Sequence, residues 1–258
     1  MRLAVLSPLE RCGCSVVTTM LAQSAALTQD LKTVVTYTSK ARTLPIYLSL
    51  RDYLQDRTRS ISQVVKLLQA RAISAGELDE FAIKVAPNFY LMDTVSPTIT
   101  MEEALMVQKY VFTNIEADLV LCDISEPLDD INAQELIEAA DALCVVLNPD
   151  TVSVEALNVW KQSEYWPKNK PCMVVINRFD ESIIGVRAFA KQCGIEVKNT
   201  CKLHYNPFIV RACNENFLAE IVPYAYEKDI RVLSLRNDLY EMMTWCMSLS
   251  GRKTRWEK

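Results

Sequence analysis

The residues with the clearest chemical potential lie in "SPLERCGCS", residues 7–15. A loop that wraps a phosphate follows the pattern G-x-x-x-x-G-K-[ST]. Its glycines let backbone N–H groups close on the anion, its lysine supplies charge, and its hydroxyl meets a metal ion. Laid on residues 8–15, that pattern keeps its second glycine as Gly13 and its hydroxyl as Ser15. Pro8 replaces the first glycine and Cys14 replaces the lysine. The same segment carries Cys12-x-Cys14, but that is not a zinc spacing and no second Cys/His pair stands near it. With one histidine in the chain, a histidine-based triad is not supported, and His204 is read as a surface or loop group.

Strand, tight loop and helix are needed to position such a loop. Residues 3–6 form a short apolar run, Ser7-Pro8 breaks it, and residues 15–27 return to helical spacing. The helix start would then offer open N–H groups and the positive end of its dipole. The alternation continues. "KTVVTYTS" (32–39) is β-branched and reads as a strand, and residues 48–80 read as mostly helical, with 61–72 the clearest amphipathic run. A turn at Ala86-Pro87-Asn88 leads into a strand at 89–92, and a helix is predicted over 101–114. Thr98 or Thr100 would cap that helix, with Glu102 and Glu103 in its first turn. Apolar strands follow near 116–125, 142–147 and 173–176, the first carrying Asp123 and the last leading into Asn177-Arg178. Residues 232–249 read as a final helix packed on the sheet, followed by a basic tail with Arg252, Lys253, Arg255 and Lys258 around Trp256. A membrane-surface helix is the competing reading of that tail, so membrane contact is left open.

At 258 residues, half of them hydrophobic, the chain can bury a large core, and it reads as one domain over residues 1–258. No linker, low-complexity tract, internal repeat, signal peptide or membrane-length apolar run is visible. The nine cysteines are scattered and often embedded in apolar strands, as reduced core residues of a cytoplasmic chain would be. A net charge of −4 without a long basic block argues against a general nucleic-acid surface.

The opening resembles the ParA/MinD superfamily of deviant Walker A ATPases, which begin roughly S-P-K-G-G-x-G-K-T-T-x-A-x-x-L-A. "SPLERCGCSVVTTMLA" keeps Ser7, Pro8, Gly13, Ser15, Leu21 and Ala22, and loses both signature lysines, to Leu9 and Cys14, and both early glycines, to Glu10 and Arg11. "EADLVLCDIS" is similar to the family's Walker B strand, which implies that Asp123 meets a magnesium shell through water. Ala140-Asp141, the strand at 142–147, Pro149 and Ser153-Val154 match the segment that follows. In "KPCMVVINRFD", Asn177-Arg178 stands where active relatives read the adenine edge. The carboxylates that relatives carry at the end of the second strand are missing near Tyr37 and Ser39. The likeness covers residues 2–180 well and the remainder weakly.

The resemblance implies a P-loop NTPase-like α/β fold in three layers, a mostly parallel sheet with helices on both faces. The retained framework with a degenerate loop looks most like the TadZ branch, whose members position pilus-secretion machinery. Losing two lysines removes about 3–6 kcal/mol of charged hydrogen bonding, or roughly two to four decades of affinity. Weak binding of ATP and magnesium through Gly13, Ser15, Asp123, Asn177 and Arg178 survives that arithmetic; efficient hydrolysis does not. The expected function is a non-catalytic or weakly active positioning or assembly factor. It would be a homodimer and cytoplasmic, polar or peripheral to the membrane, working with protein components of a secretion, pilus or conjugation machine. The alternative is an ATP-binding switch or residual ATPase that also uses Arg11. A DNA-partition role ranks last.

Overall fold

The computed structural model describes residues 1–38, 43–50, 61–95 and 99–252. Ser39, the cap candidate Thr98, the tail beyond Arg252 and residues 51–60 of the predicted helical stretch lie outside the described residues.

Eight strands form one sheet: β1 (Arg2–Leu6), β2 (Thr33–Tyr37), β3 (Ile83–Ala86), β4 (Phe89–Leu91), β5 (Leu119–Asp123), β6 (Ala142–Leu147), β7 (Cys172–Phe179) and β8 (Thr200–His204). Their order is β3-β4-β2-β5-β1-β6-β7-β8, and every neighbouring pair is parallel except β3/β4. The central strands are buried along their length except at Arg2, the first residue of β1, as strands covered on both faces must be. Alternate side chains feed two cores. Leu3, Val5, Val35, Leu121, Cys144 and Val175 face one, and Ala4, Leu6, Val34, Val120, Val145 and Val174 face the other.

The first core is covered by α1 (Cys14–Thr28), α8 (Pro207–Glu215), α9 (Ile221–Tyr226) and α10 (Leu233–Leu249), with the short α2 (Thr43–Tyr47) at its edge. The second lies under α3 (Ile61–Gln69), α4 (Met101–Asn114), α5 (Ile131–Ala139), α6 (Thr151–Gln162) and α7 (Val186–Cys193). The fold is therefore the expected three-layer, mostly parallel α/β sandwich.

Local signals account for several boundaries. Thr100 caps α4, accepting from the Glu103 N–H at 3.2 Å, while Glu103 accepts from the Thr100 N–H at 2.8 Å. That reciprocal pair satisfies two N–H groups the helix itself cannot. Asn206 caps α8, whose first residue is Pro207. Within the predicted helical stretch at 48–80, α3 ends at Gln69 and residues Ala75–Phe81 form a 3-10 turn. The turn at Ala86-Pro87-Asn88 joins β3 to β4 as an antiparallel hairpin, with Asn88 in the left-handed region at φ 57°.

The final helix is a core element. Leu235, Leu239, Met242, Met243 and Cys246 of α10 are buried. No helix among the described residues is long and apolar enough to cross a membrane.

Candidate functional site

β1 lies at the centre of the sheet, between β5 and β6, so the chain turns away from it in opposite directions. In open α/β sheets the crevice outside the strand C-termini at such a reversal is where ligands bind. A cavity of about 940 Å³ occupies that place, lined by the loop 7–13, the start of α1 and the ends of β5, β7 and β8. Its volume falls within the range of about 300–1,000 Å³ usual for small-molecule sites.

Gly13 ends the loop in the left-handed region, at φ 95°, and starts α1 without any side-chain cap. A Cβ at Gly13 would stand 2.2 Å from the Asn177 amide nitrogen, so only glycine fits. That nitrogen donates to the Cys12 carbonyl at 2.7 Å, tying β7 to the loop. The uncapped helix start leaves N–H groups with no partner within the helix. Arg11, itself left-handed at φ 61°, is the loop's single cation.

Ser15 lies in the first turn of α1, and its hydroxyl donates to Asp123 Oδ2 at 2.5 Å. Asp123 ends β5, in register with Val5 on one side and Tyr37 on the other, and is 2 % exposed. Burial pushes its carboxyl up to about 6; the Ser15 bond works against that rise and the Glu126 charge adds to it. Cys14, where the phosphate-loop pattern has a lysine, is a neutral thiol: burial, with Asp123 beside it, pushes it well above the ordinary thiol range. Where carboxylates were expected and found missing, the Tyr37 hydroxyl donates to Asp93 at 2.6 Å and Thr38 Oγ1 accepts from the Ser125 N–H at 2.9 Å.

Arg178 sits in a bulge of β7, at φ 53°, where pairing with β8 shifts register between Asn177 and Phe179. That bulge leaves Arg178 exposed at the cavity while Asn177 stays buried. The structure thus brings all five sequence-derived residues, Gly13, Ser15, Asp123, Asn177 and Arg178, to one cavity.

Sequence reasoning missed other lining groups. Glu126, three residues past Asp123, has a buried Oε2 without a hydrogen-bond partner among the described residues. His204 differs from its expected place as a surface or loop group. It ends β8, lines the cavity, and its Nδ1 lies 2.9 Å from both carboxylate oxygens of the buried Asp238 on α10. The only available signal was its position at the end of "TCKLH", a strand that was not recognised.

The donor set suits a nucleotide only in part. The cavity, the glycine cradle and the Ser15–Asp123 pair fit phosphate and a magnesium ion held mainly by phosphate and water. The lysine charge is absent from the loop. Among the described residues no three His, Cys, Asp or Glu side chains cluster to hold a metal by themselves.

No protein-family profile matches the sequence, and no curated protein is similar to it. Solved structures are similar in fold. MinD in the MinC:MinD cell division complex of Aquifex aeolicus is 14 % identical with a TM-score of 0.67, over 100 % of this chain and 99 % of that one. The septum site-determining protein MinD of Pyrococcus horikoshii OT3, complexed with Mg-ADP, is 14 % identical at a TM-score of 0.67, over 96 % of each chain. A ParA family ATPase from Chlorobium tepidum TLS is 18 % identical at 0.66, over 93 % of this chain and 98 % of that one. This chain has the three-layer, mostly parallel fold of the MinD and ParA-family ATPases.

Proposed function

We propose that this protein is a non-catalytic or weakly active ParA/MinD-like positioning or assembly factor, similar to the TadZ branch. It would act as a homodimer on protein components of a secretion or pilus machine. The observation that carries this reading is the neutral, half-buried Cys14 at the lysine position of a loop that otherwise keeps its frame. A transferring phosphoryl group needs charge stabilisation more than covalent chemistry, and this loop supplies one arginine in place of two lysines. The missing carboxylates near Tyr37 and Ser39 remove a second element of turnover. MinD of the Aquifex complex is held with a protein partner, which supports a partner-binding role for the fold here.

A second reading, an ATP-binding switch, is favoured by the Ser15–Asp123 contact within a nucleotide-sized cavity. In that reading Gly13, Ser15 and Asp123 hold the phosphate and magnesium end and Arg178 the base end, while Asn177, expected to read the base, has its amide nitrogen turned to the loop at Cys12 and Gly13 instead. Bound magnesium would neutralise phosphate charge there.

Calorimetric titration with magnesium-ATP, alongside light scattering, tests the choice. A dimer present without nucleotide, with weak or no binding and no turnover, is expected. Tight binding that converts monomer to dimer would overturn the scaffold reading, as would turnover abolished by Asp123→Ala.

A further inference from the structure

Charge is distributed very unevenly along this chain. Residues 101–141, which form α4, β5 and α5, hold eleven carboxylates and a single cation, Lys109. That segment is −10 where the whole chain is −4, so the remaining residues are +6. Several of the carboxylates have structural tasks. Glu103 and Asp130 cap their helices, and Asp118 and Asp141 accept from the backbone N–H groups of Lys32 and Arg2. Glu102, Asp129 and Glu138 are exposed and have no polar side-chain partner among the described residues.

The two helices run side by side from the same edge of the sheet, and the Lys109–Glu135 ion pair at 3.1 Å crosses between them. Helical spacing then places the neighbours of that bridge. On α4, Met106 stands one turn before Lys109, and Met101 and Glu102 stand two turns before it. On α5, Ile131 stands one turn before Glu135 and Glu138 one turn after it. Met101 is 54 % exposed, Met106 38 % and Ile131 66 %. The outer face is thus apolar toward its upper end, adaptable because two of the three side chains are methionines, and edged with carboxylates that nothing neutralises.

Two adjacent helices leave a groove between them that a third helix can fill, with its apolar stripe inward. The charge selects the occupant. Phosphate backbones and anionic lipid surfaces are repelled by this face, whereas Lys and Arg side chains on a helix are attracted to its edges.

We propose that the outer face of α4 and α5 docks a basic amphipathic helix of a protein partner. Its apolar stripe covers Met101, Met106 and Ile131, and its Lys or Arg residues meet Glu102, Asp129 and Glu138. This goes beyond the scaffold reading by giving the partner's chemistry, and it rests on that reading only for the partner being a protein.

The test is a fluorescence anisotropy titration of the full chain with a labelled peptide of about 18 residues, ~27 Å long as a helix. Leucines recur at i, i+3, i+4 and i+7, and the other positions are Lys, Arg, Gln and Ala. The comparison peptide has the same composition with its leucines spread around the helix. The wild type is expected to bind the patterned peptide about tenfold more tightly, with an affinity that falls as salt rises. Met106→Ser with Ile131→Ser should remove that preference. Glu102→Gln with Glu138→Gln should weaken both peptides and flatten the salt dependence. Val159→Ser, at a position 64 % exposed on α6, should change nothing. If the serine variant does not fold by circular dichroism, the glutamine variant decides.

Equal binding of the two peptides by the wild type, or no binding at about 100 µM, overturns the inference. So does a preference that survives the serine variant, or a salt dependence that survives the glutamine variant. A dimer that becomes monomeric in the serine variant by light scattering also overturns it, because a second copy then covers this face. None of these outcomes touches the scaffold reading, which falls instead on nucleotide-driven dimerisation or on turnover that needs Asp123.

Discussion

The Asn177 amide nitrogen stands 2.7 Å from the Cys12 carbonyl and in the space that a Gly13 side chain would fill. Loop shape, glycine identity and the β7 asparagine are thus one feature. Gly13→Ala should destabilise by about 2–4 kcal/mol, from a left-handed backbone and a forced shift of Asn177. Asn177→Ala alone should cost about 1 kcal/mol for the lost bond. The double variant should cost less than the sum, because removing the amide opens room for the new methyl. Urea midpoints of the four proteins check this, and strict additivity would show that the two residues do not share the space.

Asp123 links stability to pH with a sign opposite to that of a salt-bridged carboxylate. Its native carboxyl is raised to about 6, so between about pH 4 and pH 6 the folded chain binds more protons than the unfolded one. Stability therefore falls as pH rises through that window, and the penalty is complete above it, on the order of 3 kcal/mol. Asp123→Asn cannot ionise. Without nucleotide or metal, it should be the more stable protein at pH 7.5 and close to wild type at pH 4. A stability gap that stays constant with pH would show that Asp123 is not the titrating group.

Much of this arrangement was legible in sequence because strand ends and turns carry local signals. Ser7-Pro8, Gly13 and the apolar runs that end at Asp123 and Asn177 gave the loop and the two facing strand ends. Helical spacing from Met101 marked the start of α4, and Thr100, one of the two cap candidates, is its cap. What escaped was non-local. "TCKLH" is too short and too mixed to announce β8, and nothing near His204 points to Asp238, 34 residues later on a different element. The turn at Ala86-Pro87-Asn88 and the strand after it were legible, but β3 was missed, since it has four residues, Lys84 among them, and its register with β4 shifts between Lys84 and Ala86. The reach of Asn177 back to Cys12 joins residues 165 apart and no spacing rule contains it.

Leu239 distinguishes a core helix from a membrane-surface helix at the C-terminal end. It is fully buried in α10. Leu239→Ala should therefore cost about 2–5 kcal/mol of stability, as removing a buried leucine does. Surface positions are usually within ~0.5 kcal/mol. A urea midpoint unchanged by Leu239→Ala, together with loss of binding to anionic vesicles, would instead assign the side chain to a membrane face.

Cys14 offers a gain-of-function test of the whole reading. It occupies the first position of α1, beside Ser15 and Asp123, where the phosphate-loop pattern carries lysine. Cys14→Lys would place an ammonium near the negative Asp123 and at the mouth of the uncapped helix, so its charge has a partner before any ligand arrives. One charged hydrogen bond is worth about 1.5–3 kcal/mol, so ADP affinity should rise about ten- to 150-fold. Turnover should stay low, because the positions near Tyr37 and Ser39 still offer no carboxylate. Calorimetric titration measures the first effect and phosphate release the second. If affinity does not rise, the missing lysine is not what weakens the site, and the conformation of the loop around Pro8, Glu10 and Arg11 must be the cause. If turnover rises with affinity, charge alone was limiting and the protein is an ATPase one residue removed.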